Sequence, residues 1–191
     1  MCSRYTIIGT RLLAEQFGGP VLPPRYNCAP GQRLPVVTTD LTIHKAVFGL
    51  PRQDGGRQIN ARIERIFERS YSRRRRCLVP MSGFYEWTPV GSVREPWYIS
   101  SPDTPLLYAA GLTTGDFFLI ITCPAVPPVQ AIHQRMPLLL PIDAGITFLS
   151  GGDPVRIDPP LQIIRVGIAI NHPDALDDPS LITPPDRHHW W

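Results

Sequence analysis

The sequence predicts an α+β protein, one domain over residues 1–191, with a curved, mostly antiparallel sheet flanked by short helices. Three observations carry this expectation. Alternating apolar runs dominate the chain, 23 prolines and 15 glycines punctuate its 191 residues, and no βαβ rhythm or internal repeat appears. Such punctuation favours short strands and tight connections over long helices.

RYTIIG near the start alternates as a strand does, and RLLAEQF follows with helical spacing. LPVVTTD and IHKAVFGL then read as strands. ARIERIFERSY returns to helical spacing, with Ile63, Ile66 and Phe67 on one face and Asn60 standing where an N-cap belongs. RCLVPMSGFYEW, PWYIS, PLLYAAGL, DFFLIITC and LQIIRVGIAI read as strands, and DAGITFL as a third short helix. The stretch from Tyr98 to Cys123 has the look of consecutive antiparallel strands joined by turns. From about residue 172 the tail is rich in proline and aspartate and reads as a meandering surface segment ending in Trp190 and Trp191.

Apolar residues make up 43% of the chain and charged residues 18%, which excludes a disordered tail or a fibre. No run of about 18 apolar residues is present, and the opening lacks the apolar stretch of a secretory signal. The expectation is a cytoplasmic protein, associated with the nucleoid or the replication fork, monomeric and without a membrane partner. Cys2, Cys28, Cys77 and Cys123 lie far apart and form no CxxC, so reduced thiols are expected. Neither they nor His188-His189 offer paired ligands, and no metal or other cofactor is expected. The net charge of +3 comes almost wholly from arginine, Lys45 being the sole lysine. Arginine suits bidentate phosphate contacts and stacking on bases, although a compositional habit of the genome explains the bias equally well. An enzyme forming Schiff bases on this chain has to use Lys45 or the amino terminus.

Four stretches set polar residues in apolar surroundings. They are MCSR, GRQINARIERIFE, RRRRCLVPMSGFYEWTP and AIHQRMPLLLP. Each has an ordinary explanation when taken singly. Cys2 reads as a small buried hydrophobe, Asn60 as a helix cap, Glu86 as half of an ion pair, His133 as a loop histidine and Arg73–Arg76 as a solvated face. His133 and Arg135, two apart, share a side if that piece is extended.

Together MCSR, YNCAPGQ, INARIE, RRCLVPMSGFYEW and HQRMP, in this order, resemble the SOS response-associated peptidase (SRAP) family, whose members crosslink to abasic sites in DNA. The resemblance runs from Cys2 to about Pro137. It implies the fold of that family, with a curved sheet or barrel-like core, and a partner that is single-stranded DNA or a single-strand/double-strand junction containing an abasic site. It also implies removal of Met1, so that Cys2 presents both an α-amine and a thiol. An α-amine has a pKa of about 7.7–8.0 and is partly neutral near pH 7 without deep burial. By resemblance Glu86 moves protons, His133 assists the ring-opened sugar, and Asn60 orients the terminal cysteine. Arg62 and Arg135 match phosphate-gripping arginines, while Pro30 and Phe48 match residues that wedge against bases beside the lesion. Weak lyase and self-processing peptidase activities come with the same resemblance.

Three positions depart from the family pattern. Ser3 stands where glycine is usual, Phe48 where tryptophan is usual, and Arg65 where threonine is usual. None removes a catalytic group. Two other readings use the same residues: a cysteine peptidase or N-terminal nucleophile amidohydrolase acting through Cys2, and a non-catalytic DNA-binding module with a structural Cys2.

Overall fold

The computed structural model describes residues 2–69, 71, 74–172 and 174–185. Expectations for Met1, Arg73, His188-His189 and the terminal tryptophan pair fall outside these residues. Among the described residues, fifteen strands and two α-helices form the fold. The strands are β1 (Arg4–Ile7), β2 (Arg25–Cys28), β3 (Arg33–Val37), β4 (Ile43–Phe48), β5 (Leu50–Pro51), β6 (Arg57–Gln58), β7 (Asn60–Arg62) and β8 (Arg75–Met81) in the first part. There follow β9 (Gly83–Val90), β10 (Val93–Ser100), β11 (Leu107–Thr113), β12 (Phe117–Pro124), β13 (Arg135–Pro137), β14 (Leu139–Leu140) and β15 (Gln162–Arg165). Helix α1 spans Thr10–Phe17 and α2 spans Ile142–Leu149.

Strands β3, β4, β12, β11 and β8 pair in a closed ring, so the core is a five-stranded barrel. All its seams are antiparallel except β4–β12, which is parallel. Closure leaves the ring without an edge, and the short β7, β13 and β14 pair only onto its rim. A second, wholly antiparallel sheet runs β15–β10–β9–β1–β2. The expected α+β architecture with a curved, mostly antiparallel or barrel-like core is therefore observed.

RCLVPMSGFYEW is two strands, not one. Ser82 separates barrel strand β8 from β9 of the second sheet, and its hydroxyl accepts the Ile8 and Gly9 N–H groups at 2.9 and 3.0 Å. Gly83 then begins β9 where a Cβ would lie 2.4 Å from the Tyr98 hydroxyl, so only glycine fits that crossing. Alternation along β9 sends Phe84 to the main core, while Tyr85 and Trp87 join an outer cluster with Tyr98, Val166, Ile170 and Leu181.

That outer cluster anchors the tail, which stays a surface segment. Ile170 and Leu181 are buried, and Asp177 bridges to Arg25 and accepts the Asn27 N–H at 2.8 Å, so the described residues of 166–182 cover a sheet face. GIAI, expected as part of a strand, forms a 3-10 turn at Ile168–Asn171. Within the arginine run, Arg76 donates to the Phe148 carbonyl at the end of α2 and lies 4.7 Å from the Phe148 ring centre. Among the described residues, no helix is long and apolar enough to cross a membrane.

Candidate active site

Cys2 lies two residues before the start of β1, whose neighbours β2 and β9 draw it into the main core, where it has no exposed surface. Asn60 reaches it from β7. That strand lies parallel to β12, in register with Ile120–Thr122, and the Asn60 Nδ2 donates to the Cys2 carbonyl oxygen at 3.1 Å. The other amide atom, Oδ1, is buried with no hydrogen-bond partner among the described residues. Asn60 is thus a strand residue and not a helix cap. Instead of the expected helix, a 3-10 turn follows at Ile63–Arg65, with Ile66 buried and Phe67 71% exposed. Pairing with β12 has overridden the helical spacing.

Glu86 comes from β9, two residues after Phe84 and on the same side of the strand. It is only 2% exposed. Burial raises its pKa, and the nearby His133 and Arg94 charges oppose that rise. The Cys2 thiol is pushed up as well, first by burial and then by Glu86. Glu86 therefore lies close enough to feel the charge of His133 and to act on Cys2.

His133 sits between a 3-10 turn at Val129–Ala131 and β13. Its Nδ1 lies 2.9 Å from the Arg135 carbonyl oxygen and 3.0 Å from the Arg135 nitrogen. A protonated Nδ1 donates to the carbonyl, and an unprotonated one accepts the N–H. The backbone fixes the ring in either tautomer, and what Nε2 meets sets the proton's place.

The two expected phosphate-binding arginines differ in state. Arg62 is exposed at the end of β7. Arg135 is held by a two-pronged ion pair with Glu64 at 2.7 and 3.0 Å and also donates to the Thr122 carbonyl at 2.7 Å. Glu64 is the residue that motif reasoning missed, although its place two residues after Arg62 put an acid beside the expected phosphate site. Pro30 is half-buried in the turn after β2. Phe48 departs from expectation. Its ring has no exposed surface, stacks on Phe118 at 5.1 Å and meets Tyr5 edge-on at 5.7 Å, so it is a barrel-core residue and not a wedge at the surface. Alternation along β4 held that signal, since Ala46 and Phe48 share the inward side.

Cys28, Cys77 and Cys123 are free and buried like Cys2, and burial raises each thiol's pKa. Lys45 is exposed on β4. No cluster of three or more His, Cys, Asp or Glu side chains suited to a metal occurs among the described residues.

The model of the SOS response associated peptidase (SRAP) family matches residues 1–162. Among curated proteins, the chain is 30% identical over 173 residues to the Bacillus subtilis abasic site processing protein YoaM, covering 75% of this chain and 76% of that one. It is 28% identical to the abasic site processing protein YobE of the same organism, over 97% and 98% of the two chains. A third relative, the Saccharomyces cerevisiae abasic site processing protein YMR114C, is 36% identical over 94 residues, and the match spans 44% of this chain and about a quarter of that longer protein, 26%. A crystal structure of a Bacteroides thetaiotaomicron protein superposes with a TM-score of 0.74 at 21% identity, covering 96% of this chain and all of that one, and shares the fold.

Proposed function

This chain belongs to the SOS response-associated peptidase family, and we propose that it processes abasic sites in single-stranded DNA by linking them covalently to Cys2. The observation that carries the reading is the meeting of Asn60 with Cys2 beside the buried Glu86, which feels the half-buried His133. The abasic site processing activity in the names of YoaM and YobE supports it.

Removal of Met1 gives Cys2 the α-amine that the chemistry needs. The amine attacks C1′ of the ring-opened sugar aldehyde, the carbinolamine loses one water, and an imine remains. The Cys2 sulfur then adds to the imine carbon, and the thiol proton passes to nitrogen. A five-membered thiazolidine closes with no further leaving group. Because amine and thiol share one residue, closure gains the advantage of fixed reactants. A carboxyl with a raised pKa suits proton delivery to the departing hydroxyl, the role of Glu86. His133 assists sugar opening. Asn60 holds the Cys2 carbonyl and keeps Oδ1 for a donor on the sugar or the amine. Arg62 and, on leaving Glu64, Arg135 take phosphates beside the lesion, next to Pro30. β-Elimination from the imine gives a minor lyase activity.

A thiolate peptidase needs a depressed thiol pKa, and the upward shift at Cys2 weighs against that rival. Incubation with abasic single-stranded DNA, followed by denaturing electrophoresis, tests the proposal. A heat-resistant adduct is expected from wild type and none from Cys2→Ala. An adduct that persists in Cys2→Ala overturns it.

A further inference from the structure

The segment beyond the matched family region, from residue 163 onward, does more than cover a sheet face. With β9 and β10 it walls a groove of about 490 Å³ that starts one residue after Cys2. Ser3, Arg4, Trp87, Arg94, Asn171 and His172 line it, and no carboxylate does among the described residues. Arg4 is a partly buried cation whose hydrogen-bond acceptors are neutral. Its Nη1 donates to the Asn27 Oδ1 at 2.6 Å and the Ile170 carbonyl at 3.1 Å, and its Nε is buried without a partner among the described residues. Arg94 is exposed on β10. Asn171 ties the groove together, accepting the Trp87 indole N–H at 2.6 Å and donating to the Arg94 carbonyl at 2.9 Å.

An acid-free groove with two guanidinium groups, an imidazole and a fixed indole suits a phosphodiester whose base lies against an aromatic ring. We propose that this groove binds a nucleotide of the strand as it leaves the residue joined to Cys2, with Arg94 and His172 contacting the phosphate and Asn171 fixing Trp87 and the β10 backbone. The proposal rests on the abasic-site reading and adds a contact supplied by the chain's C-terminal segment. The groove's lining begins at Ser3, next in sequence to Cys2, which puts it beside the proposed point of attachment. Affinity gained there depends on salt, because each phosphate contact releases a counterion.

The test is equilibrium binding of an unmodified single-stranded oligonucleotide of about fifteen nucleotides, long enough to fill such a channel, measured across a salt series. Arg94→Ala and Arg94→Glu are compared with wild type after their thermal unfolding midpoints are matched. We expect several-fold weaker binding in Arg94→Ala, and a slope of log affinity against log salt that is shallower by about 0.7 per lost phosphate contact. His172→Ala should weaken binding in the same sense. Unchanged slopes in both Arg94 variants would overturn the proposal. Adduct formation by wild type on an abasic oligonucleotide is scored separately. A shallower slope without any adduct sinks the crosslinking reading and keeps the groove, whereas an adduct with unchanged slopes does the reverse.

Discussion

The side-chain amide of Asn60 donates to the backbone carbonyl of Cys2 at 3.1 Å, joining two residues 58 positions apart. The bond fixes the residue whose nitrogen and sulfur are proposed to react, and it does so from a strand anchored on the barrel. Asn60→Ala leaves that carbonyl without its donor. A typical net hydrogen bond contributes about 0.5–1.5 kcal/mol, so we expect roughly a two- to tenfold slower adduct formation under single-turnover conditions. Asn60→Asp, which lacks the N–H donor, should also be slow.

Burial raises the Glu86 pKa above the usual carboxyl range. The folded chain therefore keeps a proton that the unfolded chain releases at about pH 4.3. Stability falls as pH rises from there through the folded pKa, and at neutral pH the buried carboxylate is a cost. Glu86→Gln should raise the thermal midpoint at pH 7 relative to wild type, with a smaller difference at pH 4. The same variant should lose about 10²–10⁴-fold in adduct formation rate, the usual contribution of acid–base catalysis. Paired melting curves and single-turnover rates check both halves.

Phe48 packs between Tyr5 and Phe118 inside the barrel. Phe48→Ala should destabilise the protein by about 3–5 kcal/mol, read from chemical denaturation. Binding of single-stranded DNA by the folded fraction should be unchanged. A selective loss of DNA affinity at full stability would restore the wedge role.

Glu64 occupies the Arg135 fork that is proposed to take a phosphate. Glu64→Gln weakens that competitor while keeping the shape of the side chain. We expect tighter binding of single-stranded DNA at low salt, by a factor of a few, measured by fluorescence anisotropy. Weaker binding would show instead that Glu64 holds Arg135 in place for DNA.

The strands were legible as short apolar runs bounded by glycine and proline. Strands β8, β11 and β12 are buried along nearly their whole length, so there the signal is a continuous apolar run and not an alternation. Two tertiary effects were not. ARIERIFERSY has helical spacing, but Asn60–Arg62 meets an open side of β12 and pairs there. The apparent single run through Ser82 divides because two backbone N–H groups bond its hydroxyl, a contact no local pattern announces. For the site, resemblance led to Cys2, Asn60, Glu86 and His133; Asn60 bonds the Cys2 carbonyl, and Glu86 is within electrostatic reach of Cys2 and of His133. The ion pair that occupies Arg135 joins residues 71 positions apart and leaves no local sign.

The most direct test of covalent capture is the intact mass of the purified protein before and after mixing with an abasic single-stranded oligonucleotide. We expect a chain lacking Met1 that gains the oligonucleotide's mass less one water, while a form engineered to retain Met1 gains nothing. An unshifted mass for the Met1-free chain, or an equal gain in the Met1-retaining form, would contradict capture by the Cys2 amine.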